Sequence, residues 1–153
     1  MNTKSTDELE GILGSTHIED MEEYLKENSE VMIDSDKPFA DFMREKIKEK
    51  GIQQSDIFIA ADISERYGYK LISEQKYTKQ RDIILRICYA ADFTLEETQK
   101  ALKLYGMPEL YARIPRDALL MIAFNTKPGD IINVNTFLKK NHMPVLKSCG
   151  IQD

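Results

Sequence analysis

Between Gln53 and Lys79 the chain carries hydrogen-bonding and charged side chains at helical spacing. Glu65, Arg66, Tyr69, Lys70 and Ser73 fall on one side of a helix, because residues three and four apart are surface neighbours. Groups of these kinds read base edges in a DNA major groove. Arginine or lysine donates to guanine acceptors there, and serine serves as donor or acceptor. Gln53 and Gln54 open a preceding helix and suit phosphate contacts beside its N-terminus. The bland alternative is a solvated outer face, since helix pairs with polar exteriors are common.

The segment that must position these groups runs from Gly51 to Arg86, GIQQSDIFIAADISERYGYKLISEQKYTKQRDIILR. It reads as a short helix, a tight turn, a second short helix and a third, the layout of a helix-turn-helix. Ile52, Ile57, Ala60 and Ala61 are expected on the inward side of the first helix, and Ile63, Tyr67 and Leu71 continue the apolar row on the next. Asp62 to Ser64 supplies the turn. The Ser64 hydroxyl suits an N-cap, so the second helix is expected to start at Glu65.

With Ile52, Gln53 and Gln54 before the first motif helix, an apolar anchor at Ile57 and a cap at Ser64, the stretch from about Pro38 to Tyr105 resembles the lambda-repressor-like helix-turn-helix regulators of the Xre or Cro type. The resemblance implies a five-helix DNA-binding domain. Two positions depart from its pattern: Phe58 stands where a small alanine commonly packs against the recognition helix, and Glu74 where a helix-ending glycine is usual. Gly68 offers compensation for Phe58, because a glycine at that contact makes room for the ring. The continuation YGMPELYARIPRDALLMIAFN and the closing VNTFLKKNHMPVL resemble a narrower group of bacterial helix-turn-helix proteins.

Charge divides the chain. Residues 1–36 hold eleven acids and two bases, whereas residues 37–153 hold nineteen bases and fifteen acids. From Ser64 to Arg86 six bases (Arg66, Lys70, Lys76, Lys79, Arg81 and Arg86) face three acids (Glu65, Glu74 and Asp82), so a modest basic patch coincides with the reading head. The expected organisation is an acidic N-terminal helical arm over 1–36, a helix-turn-helix domain over 37–106, and a C-terminal helical extension over 107–153 packed on the same core. The arm, with Ile18, Met21, Tyr24 and Leu25 at helical spacing, either packs on the C-terminal helices, docks a protein partner, or competes with DNA for the basic patch.

Pro38 and Gly51 bracket a helix, Thr94 and Glu97 form a capping box, and Gly106 and Pro108 close the helix that follows. Pro115 opens PRDALLMIAFN, whose nearly unbroken apolar run is expected to lie central to the fold. Asp130 caps a last helix through Asn141, with Val134, Phe137 and Leu138 inward. No useful strand alternation occurs, so the fold is expected to be all-α, a lambda-repressor-like core with additional N- and C-terminal helices.

At 153 residues and 42% apolar content the chain can bury a core unaided. Neither a bilayer-spanning run nor a hydrophobic signal core in MNTKSTDELEG is visible, which points to the cytoplasm and away from membranes. Cys88 reads as a small core hydrophobe, and Cys88, Cys149, His17 and His142 show no metal-ligand spacing. Phosphate-cradling, dinucleotide and zincin motifs are missing, so no catalysis, metal or cofactor is expected. Arg116 and Asp117 in IPRDALL read as an ion pair bracing a helix start.

The function these residues point to is a sequence-specific regulator that binds double-stranded DNA by groove insertion. Phosphate contacts fall to Gln53, Gln54, Tyr67, Lys76 and Lys79, and base contacts to Arg66, Tyr69 and Lys70. The alternative is an all-helical protein-interaction module. One helix-turn-helix spans few base pairs, so a homodimer is expected, through Phe137, Leu138, Met143, Pro144 and Leu146.

Overall fold

A computed structural model describes residues 37–148. The acidic arm and Cys149 lie outside the described residues. Among the described residues seven helices follow one another: α1 (Pro38–Lys50), α2 (Gln54–Ala61), α3 (Glu65–Ile72), α4 (Arg81–Ala90), α5 (Leu95–Leu104), α6 (Pro115–Thr126) and α7 (Ile131–Lys140). The described residues are thus all helix and connection. Among them, no helix is long and apolar enough to cross a membrane.

Local chemistry sets most boundaries. Pro38 sits in the first turn of α1, where its missing N–H costs nothing, and Gly51 closes α1 at φ 67. Ser64 caps α3 by accepting the Tyr67 N–H at 3.3 Å. Thr94 with Glu97, and Asp130 with Asn133, form reciprocal capping boxes on α5 and α7.

The central element is α4, where all seven residues from Ile83 to Tyr89 are buried. It packs against α2, α5 and α7. The expectation that PRDALLMIAFN would be central is corrected, since α6 buries one stripe, Asp117, Leu120, Ala123 and Phe124, and leaves Ile122 48% exposed. Its neighbours α5 and α7 cover only that side.

Leu110, Leu120, Phe124, Ile131, Val134, Leu138 and Leu146 join the same apolar cluster as Phe39, Phe58 and Phe93. Each large side chain enclosed there contributes about 1.5–3 kcal/mol. This arrangement overturns the expected dimer surface in part: Leu138 and Leu146 are 0% and 2% exposed, so they are consumed inside the protomer.

Polar bonds fasten the C-terminal segment to the helix-turn-helix region. Arg86, 4% exposed, donates to the carbonyls of Ala61 (3.1 Å), Leu146 (2.8 Å) and Lys147 (2.6 Å). Arg116 and Asp117 do not pair with one another. Instead Arg116 makes a two-pronged bond to Asp82 at 3.0 and 2.9 Å, while Arg81 binds Asp117 from α4. The crossed pairs lock the start of α6 onto the start of α4.

Candidate nucleic-acid interface

Two eight-residue helices, α2 and α3, are joined through Asp62, Ile63 and Ser64. Asp62 takes φ 57, a left-handed conformation that reverses the chain after α2, and Ile63 and Tyr67 turn into the core. Ile57, Phe58 and Ala61 are the buried residues of α2. Ala60 was expected among them and is exposed, its place taken by Phe58.

Phe58 fits because Gly68 has no side chain. A Cβ at Gly68 would lie within 2.6 Å of three Phe58 ring atoms. The Phe58 ring in turn meets the Tyr69 ring edge-on, with centroids 5.0 Å apart. Such a pair adds about 0.5–1.5 kcal/mol beyond burial and fixes where Tyr69 stands.

The expected site residues separate into three groups. Gln53, Glu65, Arg66 and Lys79 are exposed, Tyr69 is 41% exposed, and Gln54, Lys70, Ser73 and Lys76 are half-buried. Glu65, Arg66, Tyr69, Lys70 and Ser73 do come together along the outer side of α3 and its C-cap. Ser64 is exposed, but its hydroxyl is engaged in capping. Tyr67 is only 4% exposed, which withdraws its side chain from the phosphate-contact role assigned to it. The spacing that put it in the apolar row prevailed.

The basic patch is smaller than its sequence suggests. Arg86 is consumed by carbonyls in the interior, and Arg81 by Asp117 and the carbonyls of Pro108 and Glu109. Of the other bases, Arg66 and Lys79 are exposed and Lys70 and Lys76 half-buried, with Glu65 exposed next to Arg66 in the first turn of α3. Loss of solvent around the ring, and then the charge and hydrogen bond of Glu65, push the Tyr69 phenol above its ordinary pKa.

The exit of α3 was the least expected feature. Glu74 adopts φ 60, the conformation for which glycine is usual. Its N–H donates to the Leu71 carbonyl at 3.2 Å and that of Gln75 to the Lys70 carbonyl at 2.9 Å, a complete left-handed helix ending. The side chain explains why glycine is not there: the Glu74 carboxylate accepts the Ala40 N–H at 3.0 Å, in the first turn of α1. Lys37 gives α1 no side-chain cap, so Glu74 supplies one from 34 residues away.

Sequence reasoning also passed over Ile59, which is 78% exposed on α2. A cluster of three or more metal-ligating side chains does not occur among the described residues. In comparisons with protein-family models, curated proteins and solved structures, no match to this chain was found.

Proposed function

We propose that this protein is a sequence-specific, double-stranded-DNA-binding regulator of the lambda-repressor-like type, with α3 as the helix that enters the major groove. The observation that carries the reading is the α2–turn–α3 unit itself. Its inner side is anchored by Ile63, Tyr67 and Leu71, while Arg66, Tyr69 and Lys70 project from the outer side of the second helix. Those three make base contacts. Phosphate contacts come from Gln53 and Gln54 at the start of α2 and from Lys76 and Lys79 beyond α3. The protein acts as a homodimer on two half-sites about one helical turn apart, in the cytoplasm and with no cofactor.

Titrating the full chain with genomic duplexes at several salt concentrations tests this. Lys79→Ala is expected to weaken all duplexes about equally and lower the salt slope by about 0.9. Arg66→Ala should cost about 1–3 kcal/mol on the preferred site and relax one base position, with little effect on unrelated duplexes. A wild-type protein with no salt-dependent binding at low salt removes the proposal. The protein-interaction reading would then lead, and one observation favours it: Ile59 presents an apolar side chain beside the reading head that DNA phosphates do not require.

A further inference from the structure

Glu65 is the first residue of α3, and the first residues of a recognition helix are those that meet base edges. A carboxylate there has no attraction to phosphates. It accepts hydrogen bonds only, and the DNA field opposes it unless a base supplies a donor. Its geometry is not left to chance. Glu65 and Tyr69 are four residues apart on one helix face, and the Tyr69 ring is seated on Phe58, whose own position depends on Gly68.

We propose that Glu65, held in place by Tyr69, is a specificity-determining residue that selects a cytosine amino group in the major groove and rejects guanine and thymine at that position. This inference rests on the DNA-binding reading and deepens it. Cytosine offers an N4 donor with no adjoining acceptor. Adenine pairs its N6 donor with an N7 acceptor that a carboxylate cannot satisfy, guanine shows N7 and O6 acceptors, and thymine shows O4. A wrong base therefore leaves a carboxylate facing acceptors, and discrimination comes from repulsion as much as from attraction. Tyr69 stands one helical turn beyond Glu65 with its ring seated on Phe58, which places the phenol within reach of that carboxylate.

The test is selection of duplexes from a randomised library by the full chain, repeated with Glu65→Gln, Glu65→Ala and Tyr69→Phe. Wild type is expected to select a site with one cytosine whose replacement lowers affinity about tenfold. Glu65→Gln should exchange that cytosine for adenine, because an amide both donates to N7 and accepts from N6. Glu65→Ala should lose preference at that position alone, while binding to unrelated duplexes rises as a negative charge is removed. Tyr69→Phe keeps the ring on Phe58, so thermal unfolding should not move although the cytosine preference weakens. If Glu65→Gln selects the wild-type site unchanged at every position, the role of Glu65 is overturned while DNA reading stands. If folded wild type enriches no sequence, DNA reading fails and this inference with it.

Discussion

Phe58 and Gly68 behave as one packing unit, since the large ring is tolerated only where the facing residue lacks a Cβ. Gly68→Ala should therefore destabilise by about 1–3 kcal/mol in urea unfolding, despite alanine's better helix propensity, because the interior cannot absorb an added carbon so close to a ring. Combining it with Phe58→Leu should recover part of that loss. A stabilised Gly68→Ala protein would mean that the ring is not seated as described. Glu74 holds two opposed terms at a single residue: a left-handed backbone costing about 1 kcal/mol relative to glycine, and a carboxylate that caps α1. Glu74→Ala removes the cap and keeps the strain, whereas Glu74→Gly removes both. The expected order of urea midpoints is wild type, then Gly, then Ala. An alanine variant as stable as the glycine variant would refute the strain argument.

Among the elements, the segment after α7 is the one whose contribution is least obvious from its length. Residues 144–147 run as a strap held by side chains of α4, α6 and α7. Arg116 holds the carbonyls of Pro144 and Val145, Asn135 accepts the Leu146 N–H, and Arg86 takes the carbonyls of Leu146 and Lys147. Removing residues 144–153 should cost about 3 kcal/mol or more, from the buried Leu146 and the acceptors lost to Arg86. An unchanged urea midpoint in the shortened chain would show that the strap is ornamental to the fold. None of these bonds has a signal in the sequence, because each joins residues at least eleven positions apart, and up to 61 in the case of Arg86. The helix boundaries at Pro38, Gly51, Ser64, Thr94, Pro115 and Asp130 were legible for the opposite reason, as capping acts within three or four residues. The inward face of α2 lay between these cases. Five consecutive apolar residues, Ile57 to Ala61, in a helix of eight admit more than one buried stripe, and only the glycine in α3 decides for Phe58 over Ala60.

For the molecule as a whole, the core is continuous from α1 to Leu146, so ion pairs at the junction between α4 and α6 influence cooperative unfolding of the entire described region. Burial alone would raise the Asp82 carboxyl. The Arg116 guanidinium, the Lys147 N–H and the charges of Arg116 and Arg81 outweigh burial and hold it below its ordinary range. Burial likewise acts on Glu97, and bonds from Lys50 and the Thr94 N–H lower it nonetheless. A carboxylate with a depressed pKa in the folded state binds fewer protons there than in the unfolded chain. Its stabilisation is complete above the unfolded value, about 3.9 for aspartate, and is lost as pH falls through the folded value. Stability should accordingly hold through neutral pH and decline below about pH 4. Asp82→Asn removes the charge that Arg116 pairs with, so the variant should be weaker than wild type at neutral pH, and the gap should shrink progressively as pH falls and the wild-type carboxylate takes up its proton. Urea unfolding across the neutral-to-acid range checks this. A gap between the two proteins that stays constant across that range would show that Asp82 stabilises the fold through shape rather than through charge.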